Sequence, residues 1–125
     1  FLLIRNSSAF STGALLPGDA PHFVQEPPAR LRFVNSTGAA LFCAAKGRPV
    51  PEIRWTTVDS DVGSVSRPAL DIPGLRRLQV DGTLVFEPFR AEQYRQDVHS
   101  AVYRCTAANR MGVLGSRDVQ VRAGK

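Results

Sequence analysis

Two cysteines, Cys43 and Cys105, with the chain's single tryptophan, Trp55, between them restrict the fold more than any other feature. The residues leading into the tryptophan alternate: Leu41, Cys43, Ala45, Gly47, Pro49, Pro51, Ile53 and Trp55. Successive side chains of a strand point to opposite faces, so residues two apart share a face and a half-buried strand reads as alternation. Cys43 and Trp55 therefore face one interior. A bond from Cys43 to Cys105 would join two sheets across that interior and close a loop of about 60 residues, a constraint worth roughly 4 kcal/mol in the chain-entropy account. The indole would pack against it. The alternative is two unrelated buried thiols.

The second cysteine sits in the series Tyr103, Cys105, Ala107, Asn109, Gly112, with a tyrosine two positions ahead of the sulfur. That is the spacing of a tyrosine corner, in which the phenol hydroxyl bonds to the backbone a few residues upstream. The expected fold is an all-β, immunoglobulin-like sandwich with Greek-key connections and one inter-sheet disulfide. Its core is expected to hold Leu41, Ile53, Trp55, Leu84 and Tyr103. With 125 residues, 43% of them hydrophobic, the chain can bury one core and is too short for two ordinary domains. No apolar run approaches the roughly 18 to 20 residues of a membrane span, and no membrane contact is expected of the domain. Paired cysteines imply an oxidising, extracellular or secretory compartment. Two Asn-x-Ser/Thr triplets, at Asn6 and Asn35, are glycosylation candidates, Asn35 the better placed because it precedes Gly38 in a polar turn.

Residues 1–20 read as a flexible leader, a short apolar patch from Phe1 to Ile4 followed by Ser, Thr, Gly and Pro, and residues 21–123 as the domain. Strands are expected at His22–Gln25 and Arg30–Val34, divided by Pro27 and Pro28, which cannot donate to a ladder. Others follow at Ala39–Ala45, Ile53–Thr57, Leu75–Val80, Thr83–Phe86, Val102–Ala108 and Val113–Arg122. Asp81-Gly82 between two apolar segments is a hairpin turn. Between Thr57 and Leu75 the Asp, Ser, Gly and Pro content suggests a long exposed connection, with little room for an extra strand pair. Pro88 to Val98 has mixed spacing and suits a short helical turn.

Fourteen arginines and two lysines against 11 acids leave a net charge of +5. Such a balance favours an anionic partner, a glycosaminoglycan or the acidic surface of a protein, although the arginines are dispersed and an ordinary solvated surface is the simpler reading. Pairs occur at Arg30/Arg32 and Arg76/Arg77, and these are the candidate contacts; alternation places Arg30 and Arg32 on one solvent face. No run of five bases exists, and nucleic acid is not expected as a partner. Asp97, His99 and Ser100 carry the residue types of an acyl-transfer triad, but neighbours along one strand cannot converge into its hydrogen-bond chain. The only two imidazoles, His22 and His99, lie far apart, so neither a metal nor another cofactor is expected. His99 reads as a partly exposed polar residue.

The alternating run and the Tyr-x-Cys-x-Ala-x-Asn-x-x-Gly ending resemble the intermediate set of immunoglobulin domains. A closer resemblance lies in residues 35–39, 81–92, 94–99 and 116–119, outside the general signature, which are similar to the first immunoglobulin domain of the Dscam family, particularly its insect members. One departure stands out: the acid usual six positions before the second cysteine is replaced by His99, with Asp97 two residues earlier, so the partner of the usual arginine is open. The resemblance implies a single-pass receptor that binds copies of itself on opposing membranes in neuronal self-avoidance and axon guidance. It further implies that this domain is mainly scaffold in an N-terminal horseshoe of immunoglobulin domains, touching neighbouring domains of its own chain. A different reading, binding of a guidance cue, glycosaminoglycan or microbial surface, remains beside it.

Overall fold

Buried Pro27 divides the first strand in two, and the halves join different sheets. The computed structural model describes residues 17–59, 63 and 65–124. In it β1 (Asp19–Gln25) pairs antiparallel with β4 (Ala44–Arg48), while β2 (Arg30–Val34) runs parallel to β11 (Val119–Gly124). A proline has no N–H for a ladder, so pairing lapses there and the chain is free to cross between layers. The strand carrying Cys43 is also interrupted: β3 (Ala39–Leu41) pairs with β8 (Leu84–Phe86), which pairs with β7 (Arg76–Leu78), whereas β4 turns to β1.

The opposite layer has the order β2-β11-β9-β5-β6, built on β5 (Glu52–Asp59), β6 (Val65–Pro68) and β9 (Ser100–Asn109), with β10 (Gly112–Gly115) also on β9. The result is the expected all-β sandwich. Cys43 and Cys105 are bonded, Cα to Cα 6.5 Å, and Trp55 lies opposite Cys105 in the β5–β9 register. Around them Leu41, Leu84, Phe86, Tyr103, Val119 and Val121 are almost wholly removed from water, and Ile53 packs against this cluster from its margin. Each fully buried side chain of this size contributes about 1.5–3 kcal/mol.

The Asp81-Gly82 turn has a local cause. Thr83 N–H donates to Asp81 Oδ1 (3.0 Å), and Gly82 sits at φ +94° with its Cα pressed on Ile53, where a Cβ would lie 2.9 Å from the isoleucine side chain. Only glycine meets both demands. In return Gly82 O accepts the Trp55 indole N–H at 2.8 Å.

Three expectations change. The segment after Thr57 is not all loop: Val65–Pro68 adds β6 to the sheet edge, pairing with Thr56–Asp59. All four of its residues are exposed, so no alternation marked it. The last strand is broken because Ser116 takes over from the ladder, its N–H donating to Cys105 O (2.8 Å) and its hydroxyl accepting from Cys105 N–H (3.0 Å). The first strand opens at Asp19, two residues before the expected boundary at 21, fastened by Arg48 Nε to Asp19 Oδ2 (2.7 Å) and by Asn109 Nδ2 to Asp19 O (2.8 Å). The leader's first sixteen residues lie outside the described residues.

Candidate functional site

The corner before β9 is where this sandwich departs most from the pattern in its sequence. A 3-10 turn (Ala91–Gln93) and the one-turn α1 (Gln96–His99) lead into β9. Tyr103 donates its hydroxyl to Val98 O (2.9 Å), which makes the tyrosine corner. Arg76 is not a surface contact: it is 8% exposed and donates from Nη1 to Tyr103 Oη (3.0 Å) and from Nε to Leu70 O (2.9 Å). Arg76 and Arg77 are neighbours on a strand and so face opposite ways; Arg77 is outside, on Glu87 at 3.2 Å. Burial pushes the Tyr103 phenol up, against the opposing pull of the Arg76 guanidinium.

His99 is likewise corrected, from partly exposed to wholly buried. Its ring stacks on Phe89 (centroids 3.8 Å, 15° between planes) and lies beside Tyr94 (5.4 Å). Nδ1 accepts the Arg95 N–H at 2.9 Å, so the neutral ring carries its proton on Nε2, and that atom has no partner among the described residues. Burial lowers the imidazole below its ordinary value. Above the unfolded value of about 6.5 both states are neutral and His99 contributes nothing. As pH falls through that value the unfolded chain takes up a proton that the folded ring resists, so stability declines until the lower, folded value is reached. Thermal melts of the chain are therefore expected to fall between pH 7 and 5, and those of His99→Phe, which keeps the stack, to fall less. Equal slopes for the two proteins would reject the assignment. The carboxylate of Asp97, held low chiefly by its Arg95 hydrogen bond, takes up a proton only in a more acid range and does not confuse the window.

Asp97, His99 and Ser100 form no relay. The Asp97 carboxylate is gripped by Arg95 (Nη2 to Oδ2, 2.7 Å), and the imidazole nitrogen that a carboxylate would orient is taken by backbone. No group of three or more His, Cys, Asp or Glu that could hold a metal occurs among the described residues. Asn35 Nδ2, the atom a glycan would occupy, donates to Phe89 O at 3.0 Å while Phe89 N–H donates to Asn35 O at 2.9 Å. The side chain thus ties the β2–β3 turn to the corner. Asn6 lies outside the described residues.

Two surfaces stand out, at opposite ends of β9. Next to Ile53, which pairs with Ala107 late in β9, an open groove of about 610 Å³ is lined by Val50, Pro51, Ile53, Leu78, Val80 and the Gly82 turn. Val80 is 108% and Val50 85% exposed, an apolar rim with no covering residue among those described. At the other end, by Ser100, a groove of about 490 Å³ is lined by Arg32, Phe33, Val34, Tyr94, Ser100, Arg122 and their neighbours. Arg30 and Arg32 are both exposed there, as alternation required, and Arg122, which the sequence reading left out, stands opposite Arg32. A cross-strand neighbour 90 residues away leaves no trace in local spacing.

Comparison with known proteins agrees with this geometry. No protein-family model matches the chain. It is 52% identical over 116 residues to the cell adhesion molecule Dscam1 of Drosophila melanogaster, covering 90% of this chain and 6% of that one. Against Dscam2 of the same fly it is 48% identical over 103 residues, covering 82% and 5%. Human DSCAM is 30% identical over 102 residues, with the same coverage of 82% and 5%. The chain thus spans about a twentieth of the length of the curated relatives it matches. Among solved structures, the N-terminal four immunoglobulin domains of Dscam1 isoform 4.44 superpose with a TM-score of 0.78 at 50% identity, over 84% of this chain and 25% of that one. A structure explaining Dscam isoform specificity superposes at 0.77 with 51% identity, over 85% and 26%.

Proposed function

This chain is an immunoglobulin domain of the Dscam family of cell adhesion molecules, of the insect type, and from that premise we propose that it is the first domain of an extracellular, membrane-anchored receptor that recognises copies of itself on other cells. Within such a receptor its task is scaffolding, in self-avoidance and axon guidance alike. The apolar groove at Val50, Leu78 and Val80 packs on a neighbouring immunoglobulin domain of the same chain. The observation that carries this reading is the exposure of Val50 and Val80, large aliphatic side chains set together in a concave surface. Scattered exposed aliphatics are ordinary; a contiguous, concave set marks an interaction surface.

The test uses a four-domain N-terminal fragment that begins with this chain. Val50→Asp/Val80→Asp is expected to enlarge its radius of gyration in X-ray scattering and to weaken aggregation of cells displaying the ectodomain. Because both side chains are in water in the isolated domain, its own stability should move by no more than about 0.5 kcal/mol. A fragment that scatters as the parent does would remove the groove from the scaffold. A second partner class, a sulfated glycan, is supported by the net charge of +5 and by Arg30, Arg32 and Arg122, which hold no carboxylate among the described residues.

A further inference from the structure

Among the described residues Arg48, Arg54, Arg77, Arg90, Arg95, Arg104 and Arg117 each hold an acid on the surface. Arg30, Arg32 and Arg122 hold none among the described residues, and the sheet register puts them together. Arg32 faces Arg122 across the parallel β2–β11 pair, and Arg30 lies two residues back, opposite Gln120. Neighbouring strands are about 4.8 Å apart and alternate residues about 6.6 Å, so three guanidinium groups share one small patch of one face. We propose that Arg30, Arg32 and Arg122 form a binding site for a sulfated glycosaminoglycan, with the groove between Arg32, Tyr94, Ser100 and Arg122 receiving a sugar ring.

The energetic sign of the patch points to a ligand. Like charges directly opposite each other on a sheet destabilise it. The nearby carboxylates give no relief, since Asp118 is bound by Arg104 at 2.7 Å and Asp97 by Arg95 at 2.7 Å. Charged residues on an edge strand guard against edge-to-edge aggregation, and that would account for Arg30 and Arg32 on β2. It does not account for Arg122, because β11 lies inside the sheet, between β2 and β9. Guanidinium is planar and offers paired donors, which suit the oxygens of a sulfate. A linear polymer that carries anions at short intervals can meet two of them along β2 and a third across to β11. The Cys43–Cys105 bond belongs to an oxidising, secretory or extracellular compartment, the one in which sulfated glycans are displayed.

This inference deepens the glycan reading and leaves the adhesion reading aside, because the two grooves lie at opposite ends of β9. The experiment passes the secreted chain over immobilised heparin near physiological salt, beside Arg32→Ala/Arg122→Ala and a matched control, Arg48→Ala/Arg77→Ala, which removes the same charge from strands outside that sheet. Retention of the parent and of the control is expected, with roughly tenfold or greater loss of affinity for the edge variant and a shallower salt dependence. The melting temperature of the edge variant should equal or exceed that of the parent, since a repulsive pair has gone. Equal weakening by both double variants would reduce the effect to net charge and overturn the site. So would failure of the parent to bind, or equal binding of desulfated heparin or polyglutamate. Cell aggregation lost by Val50→Asp/Val80→Asp and kept by Arg32→Ala/Arg122→Ala separates the two surfaces.

Discussion

Replacing Cys43 and Cys105 together by alanine should lower the stability of the sandwich by about 4 kcal/mol, a large share of the roughly 5–15 kcal/mol that such a domain possesses. The bond joins ends 62 positions apart in the chain, and removing it returns that freedom to the unfolded chain. The native state loses as well. Both sulfurs are buried, beside Trp55, so two alanines leave the indole facing empty space. Urea unfolding of the variant and of the parent with and without reductant is the measurement. Coincident midpoints for reduced and oxidised parent would show that the bond does not hold the two layers.

Trp55→Ala should cost about 3–5 kcal/mol, as large aromatic truncations in a packed core do. Its ring is 3% exposed and its N–H bonds to Gly82 O, so truncation empties the centre of the sandwich and strands a buried carbonyl at the β7–β8 turn. Trp55→Phe separates these parts: it retains much of the volume and loses the hydrogen bond, and should fall between parent and alanine. Because the indole and the disulfide touch one core, the double loss should not equal the sum of the single ones. A cost below about 1 kcal/mol for Trp55→Ala would contradict the burial seen here.

Features set by local periodicity were legible in the chain. The run from Leu41 to Trp55 announced its inward face, Tyr103 its corner, Pro27 its strand break and Asp81-Gly82 its turn, each because the cause lies within a few residues. What escaped depends on partners distant in sequence. Arg76 and Arg77 read as an exposed pair, yet Arg76 is drawn inward by Tyr103, 27 residues on, and by Leu70 O. His99 looked like a surface residue because polar side chains usually are; the aromatic rings of Phe89 and Tyr94 and one backbone N–H give it a buried seat instead. Arg122 acquires its meaning only from the parallel register with Arg32, and β6 only from the edge of β5.

That parallel register has a mechanical side. β2 lies near the front of the domain and β11 at its back, and they run the same way, from Gln120 beside Arg30 to Gly124 beside Val34. Tension applied to the two ends of the domain pulls these neighbours in opposite directions along their common axis. Their cross-links are evenly spaced and so are loaded side by side, in shear, instead of opening one after another like a zipper. Rupture under force is governed by the unfolding rate and not by equilibrium stability. A sandwich clasped in this way therefore yields slowly to a pull on its two ends even where its free energy of folding is ordinary.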